Sequence, residues 1–218
     1  MQTSPKPDSG SGNYRREQTR ERLLDAAYDV FAEIGVRAAT VEQITDRAHF
    51  TRGAFYSNFA TKEDLFFALM ARRNADRLST LALQVDHVIA TAASLARPID
   101  SPTLGELMVT ILNGTHDDLS WGIVVTEFEL LALRDPAIAA TYLEFTRESN
   151  NAMLKIVTVA LSGLGLRFKV EPRLGLSLIM SAVTVSLKMA ALNGNRSATY
   201  SSAHSEVTAV IEAITTST

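Results

Sequence analysis

Residues Thr40 to Leu65 read TVEQITDRAHFTRGAFYSNFATKEDL, and their punctuation predicts two short helices across a tight turn, with a third helix close behind. Thr40 is a good N-cap, and Gln43 three residues on completes a capping box. Val41, Ile44 and Ala48 recur at i, i+3 and i+7 as one apolar stripe. His49 and Phe50 interrupt it. Thr51 can cap a second helix, whose apolar residues Phe55 and Phe59 are four apart and share a face. Thr61 caps the third, with Asp64 at the capping-box position and Lys62 in the first turn. A side chain at position 49 speaks against a left-handed backbone there, although histidine is among the less penalised residues.

Two short helices over a three- to four-residue turn form a helix-turn-helix. In such a unit the first helix braces across a DNA backbone and the second lies in the major groove. The second must then be apolar behind and small, polar or basic in front. Its back is Phe55 and Phe59; its front is Thr51, Arg52, Gly53, Ala54, Tyr56, Ser57 and Asn58. Gly53 is a poor helix former, but a missing side chain suits a backbone that presses against a phosphate or base edge.

These residues carry a resemblance. Thr40-Val41, Ile44 and Ala48, then Thr51, Gly53, Phe55-Tyr56, Asn58-Phe59, Lys62 and Leu65, closely resemble the DNA-binding domain of the tetracycline-repressor (TetR) family over about Arg16 to Leu65. One departure is His49-Phe50, where the family usually has Gly-Val. The resemblance implies that Tyr56 and Lys62 position the duplex through phosphates. Thr40 and Thr51 are expected to add hydroxyl or backbone N–H contacts at helix starts. Arg52, at the start of the recognition helix, is the expected base reader, because its guanidinium pairs bidentately with guanine.

Global charge announces nothing. The 218 residues carry a net charge of −3, with 11 Lys/Arg against 10 Asp/Glu in residues 1–73 and 10 against 14 in residues 74–218. The case for DNA therefore rests on the motif. Cysteine is absent, which excludes disulfides, thiol catalysis and cysteine-ligated zinc and fits a reducing cytoplasm. Met1 to Gly12 is polar, so no secretory leader is expected. The longest uncharged apolar stretch, Leu174 to Leu187, is short for a membrane span and suits a buried helix; no membrane partner is expected.

The remainder reads as all-α. Residues 1–14, rich in Ser, Gly and Pro, are expected to be a disordered tail. Arg15, Arg16, Arg20 and Arg22 follow, as a solvated helix start or as an arm on phosphates. The first helix runs from about Arg16 to Ile34 with a stripe of Leu23, Ala27, Val30, Phe31 and Ile34, and Gly35 ends it. Arg37, in the loop to Thr40, either touches a phosphate or is simply exposed. A long helix from Thr61 to about Leu95 joins a helix-turn-helix domain (15–72) to a helical domain (73–218). Pro98 and Pro102 mark a break, and Thr103 can cap a short helix ending near Gly114. Further helices are expected over about Ser120–Arg134, Pro136–Ser162, Pro172–Leu192 and Ser201–Ile214, with no hairpin strands.

The chemistry beyond the motif is sparse. No histidine pair has metal-ligand spacing, and no nucleophile elbow or phosphate-cradling glycine loop is present, so neither catalysis nor a cofactor is expected. Asn113, Trp121, Thr126, Glu127, Tyr142, Phe145, Asn150, Met180 and Thr184 are polar-aromatic or soft residues on core helices. They either pack plainly or line a ligand cavity; Glu127 either enters that cavity or faces water. The helix from Pro172 is apolar on more than one face, through burial in its own core or through a subunit interface. The resemblance implies the interface, built with the last helix, and Ile179, Val183, Val207 and Ile211 are its expected residues. The sequence thus points to a cytoplasmic homodimer that binds a palindromic double-stranded operator and is released by a small molecule. The alternatives are a helical sensor with a vestigial DNA-binding half, or a helical enzyme.

Overall fold

The structure, a computed structural model, describes residues 9–94, 119–194 and 204–218. Its helices are α1 (Ser9–Ile34), α2 (Val41–Ala48), α3 (Arg52–Tyr56), α4 (Lys62–Ser94), α5 (Leu119–Ala132), α6 (Pro136–Gly163), α7 (Pro172–Leu192) and α8 (His204–Ile214). Two three-residue strands, β1 (Leu166–Phe168) and β2 (Thr215–Ser217), pair antiparallel. They lie about fifty residues apart in sequence and are not a hairpin, which is why no local turn signal announced them. The helix expected after Thr103, and Asn113 with it, lie outside the described residues.

The chain forms two compact units: residues 1–73 with 123–138, and residues 74–122 with 139–218. A boundary near residue 72 marks the first crossing, but not the return of 123–138 to the N-terminal unit. In that unit Leu23, Ala27, Val30 and Phe31 of α1 are buried, as are Ile44, Phe55, Leu65, Phe66 and Leu69, and the ring centroids of Phe31 and Phe66 lie 5.8 Å apart, while Ile34 at the end of the stripe is 43% exposed. The returning segment contributes Phe128, whose ring stacks on Phe66 at 3.7 Å and 8° and meets Phe67 edge-on at 5.2 Å. Arg72 of α4 ties down α1 through Glu21 at 2.7 Å and Asp25 at 2.8 Å.

In the second unit Leu81, Val85 and Val88 of α4 pack with Met153 and Leu161 of α6, Leu176, Ile179 and Val183 of α7, and Val207, Ile211 and Ile214 of α8. Helix α7 is long and apolar enough, by length and composition, to cross a bilayer, and only 22% of its most apolar window is buried. The expectation of a buried helix is thus met on one face alone.

Two other expectations change. Residues 9–14, expected to belong to a disordered tail, extend α1 by about two turns, since Ser9 already lies in it. His49 adopts the left-handed conformation after all, at φ 58° and ψ 43°. The cause is the closure of α2: the His49 N–H donates to Asp46 O at 3.1 Å and the Phe50 N–H to Thr45 O at 2.9 Å. These are the two bonds of a Schellman cap, which needs a left-handed residue between them. The Arg22 guanidinium, 4.6 Å from the Phe50 ring, also donates to Ala48 O at 2.9 Å. His49→Gly removes the Cβ penalty of the left-handed region, and we expect it to stabilise the protein by about 1 kcal/mol, read as a higher urea midpoint at unchanged m.

Candidate nucleic-acid interface

Helix α3 has five residues, too few to persist by itself, and its surroundings hold it in place. Thr51 caps it by accepting from the Ala54 N–H at 3.3 Å. Phe55 and Phe59 are buried with ring centroids 5.8 Å apart. Arg20 of α1 lies 5.4 Å from the Phe59 ring, and Arg16 donates to Ser57 O, past the end of α3, at 3.1 Å. Arg16 and Arg22 therefore cap the exits of α3 and α2, a use that the basic run did not disclose.

The front of the helix divides in two. Thr51, Arg52, Gly53 and Tyr56 are exposed, whereas Ala54 and Asn58 are half-buried. The Ser57 hydroxyl donates to Gly53 O and the Asn58 amide to Ala54 O, each at 2.8 Å. Ser57 is exposed while it makes this bond, and Asn58 is half-buried. Arg52 rests 2.7 Å from the Glu42 carboxylate of α2 and 6.0 Å from the Tyr56 ring. Its hydrogen bond with Tyr56, then the Glu42 charge, hold the guanidinium above the usual arginine range. The ion pair stands in water, so a partner that offers phosphates or guanine edges can compete for the arginine.

Lys62 differs from its expected role. Its ammonium donates to Val36 O and Ala39 O, 2.8 Å each, and burial pushes its pKa down. With two of its three N–H groups donated to carbonyls, Lys62 holds the α1–α2 loop, a structural role that the resemblance did not imply. That loop presents Arg37, which is exposed, and leads into Thr40. Thr40 completes the predicted capping box: its hydroxyl accepts from the Gln43 N–H at 3.2 Å, and its own N–H donates to Gln43 Oε1 at 2.9 Å.

The ligand candidates scatter. Met180, Thr184 and Asn150 line a groove of about 610 Å³ between α6 and α7, beside Thr146, Arg147, Arg173 and Ser181. Met180 also borders an apolar cavity of about 60 Å³ against Arg77, Leu81 and Met153. Tyr142 and Phe145 line neither, and Trp121 is buried elsewhere. Thr126 and Glu127 belong to the N-terminal unit, where the Glu127 carboxylate accepts from the Val36 N–H at 2.7 Å. Glu127 lines neither of these two spaces, and its carboxylate has a backbone partner in place of water alone. The groove's polar residues carried a signal that went unused: Arg173, Ser177, Ser181 and Thr184 recur at i, i+4, i+8 and i+11 along an otherwise apolar helix.

The expected interface residues are also displaced. Ile179, Val183, Val207 and Ile211 are 8%, 3%, 1% and 2% exposed within the protomer, so they fill its own core and cannot meet a partner. The opposite side of α7 carries Leu174, Leu178, Val185, Met189 and Leu192, 41–79% exposed. They recur at i, i+4, i+11, i+15 and i+18, one strip of helix surface.

Residues 23–69 match the family model for bacterial regulatory proteins of the tetR family. The chain is 46% identical over 57 residues to the HTH-type transcriptional regulator SrpR of Pseudomonas putida, which is 26% of this chain and 27% of SrpR. It is 27% identical over 143 residues to the HTH-type transcriptional repressor AcnR of Corynebacterium diphtheriae, covering 66% of this chain and 65% of AcnR. The chain thus spans about a quarter of the first relative's length and just under two thirds of the second's. Among solved structures, SmeT, the repressor of the Stenotrophomonas maltophilia multidrug efflux pump SmeDEF, superposes with a TM-score of 0.59 at 22% identity, over 90% of each chain. A TetR transcription regulator from Haloarcula marismortui superposes with a TM-score of 0.60 at 13% identity, over 92% of this chain and all of that one. These relatives are transcriptional regulators and not enzymes. Residues 23–69 thus match the model of the tetR family of bacterial regulatory proteins, and the fold in which they sit is shared with solved regulators of that family.

Proposed function

We propose that the protein is a cytoplasmic, ligand-responsive transcriptional repressor, binding a palindromic operator as a homodimer and released from it by a small molecule. The observation that carries this reading is the exposed front of α3, with Arg52, Gly53 and Tyr56 presented on a back of buried Phe55 and Phe59. An aromatic back with a basic, side-chain-poor front is what entry into a major groove requires. Two-fold symmetry of a dimer gives two half-sites and hence the palindrome.

The second copy is the occupant that best suits the exposed strip of α7. Five large apolar side chains in one row are too many to leave in water on a regulator, and their helix is continuous with the protomer core on its other side. The small molecule is assigned to the groove between α6 and α7, whose apolar walls Leu143, Leu176 and Met180 carry the few polar groups that orient a ligand. Its binding and that of DNA must weaken each other by one common factor.

Selection from a random duplex library with the full chain tests the reading, and recovery of no preferred palindrome would overturn it. On the recovered duplex, Arg52→Ala should weaken binding roughly ten- to hundredfold and relax selectivity at one base pair per half-site; an equal loss on every sequence would make it a phosphate contact. Lys62→Ala should leave the slope of log K against log salt unchanged, because no phosphate contact is lost, while lowering the melting temperature. Leu178→Glu and Met189→Glu should each give folded monomers by sedimentation, with weakened operator binding; dimers from both would place the interface on another surface.

A further inference from the structure

Helix α1 ends differently from α2. The N–H of left-handed Gly35 (φ +84°) donates to Phe31 O at 2.9 Å, which is the single-bond form of a helix C-cap. A Schellman cap would also have used the next N–H, that of Val36. Val36 is 1% exposed, and a buried N–H without an acceptor is costly. Its acceptor is Glu127 Oε2 at 2.7 Å, from α5, 91 residues further on. Glycine at position 35 serves this contact twice, since a Cβ there would stand 2.7 Å from the same oxygen. On the other side of the residue, Lys62 Nζ takes the Val36 carbonyl at 2.8 Å. Both backbone groups of Val36 are thus held by charged side chains of opposite sign, from two helices that are not its neighbours in sequence.

We propose that Glu127 is a positioning residue for DNA binding: its carboxylate, by holding the Val36 N–H, fixes the loop that presents Arg37 and the N-terminus of α2 to the duplex. The inference rests on reading that surface as the DNA contact. Without the bond the loop keeps its Lys62 anchor, the Ala39 N–H bond to Gly35 O and its buried side chains, but the Val36 amide is no longer fixed and the DNA must supply that ordering, at a cost in affinity. A lost carboxylate near phosphates would alone raise affinity, so the two effects have opposite signs and can be separated.

The test compares full-length wild type with Glu127→Gln, which keeps an acceptor oxygen, and Glu127→Met, which keeps the volume and removes the acceptor. Both lose the charge, so their difference isolates the hydrogen bond. The probes are the duplex that wild type selects from a random library, an unrelated duplex, and amide exchange at Val36 without DNA. We expect Val36 to be protected in wild type and Glu127→Gln, and to exchange at least about tenfold faster in Glu127→Met. The selected duplex should bind Glu127→Met about tenfold more weakly than Glu127→Gln, with equal salt slopes and no comparable loss on the unrelated duplex. Unchanged protection in Glu127→Met would remove the bond. Lost protection with affinity equal to that of Glu127→Gln would remove the positioning role, as would an equal loss on both duplexes. If wild type itself selects no duplex, the DNA reading fails, and the proposal with it.

Discussion

A five-residue helix contributes almost nothing to its own stability, because its first turn fixes the dihedrals of three residues for one hydrogen bond and so short a segment adds too few further bonds to offset that. That constraint governs the N-terminal unit. The α3 axis is set by two phenylalanines driven into a common core and by a threonine at its start. Arginines from α1 reach the carbonyls where α3 and α2 end. The hydrophobic effect supplies the larger part of the energy and the hydrogen bonds supply the direction. Charge here is spent inward: Arg16, Arg22, Lys62 and Arg72 all hold protein groups.

Local spacing made the helix-turn-helix legible. The caps at Thr40 and Thr51, the stripe Leu23-Ala27-Val30-Phe31 and the Phe55–Phe59 pair all stand where the sequence places them. What stayed hidden depended on partners distant in the chain. Glu127 looks like a stray carboxylate in an apolar helix until the Val36 N–H is seen beside it. Lys62 shows no sign in the sequence of the two carbonyls, 23 and 26 residues away, to which its ammonium donates. β1 and β2 are recognisable only as a pair. Periodicity also leaves a two-sided helix undetermined: on α7, Val183 and Val185 are the same residue type two positions apart, yet one is 3% exposed and the other 58%. Only the packing of α4, α6 and α8 decides which valine faces inward.

Three helices belong to both units. α4 leaves the first at residue 73, α5 enters it at residue 123 and α6 leaves it again at residue 138. A single long helix would suffice as a covalent tether. Three continuous helices carry the chain across the boundary, so the two units share helical backbone at three places.

The discontinuity of the first unit also bears on how such regulators can be recombined. A hybrid made by grafting residues 1–73 onto a foreign C-terminal half would carry the whole reading head, yet leave Phe66 without the ring that stacks on it and Val36 without its acceptor. The portable part is residues 1–73 together with 123–138, and the second piece lies in what a linear map would assign to the other domain. Recipients that already supply an aromatic residue and a carboxylate one position apart at the matching turn of that helix are the ones in which a contiguous graft would find its missing floor.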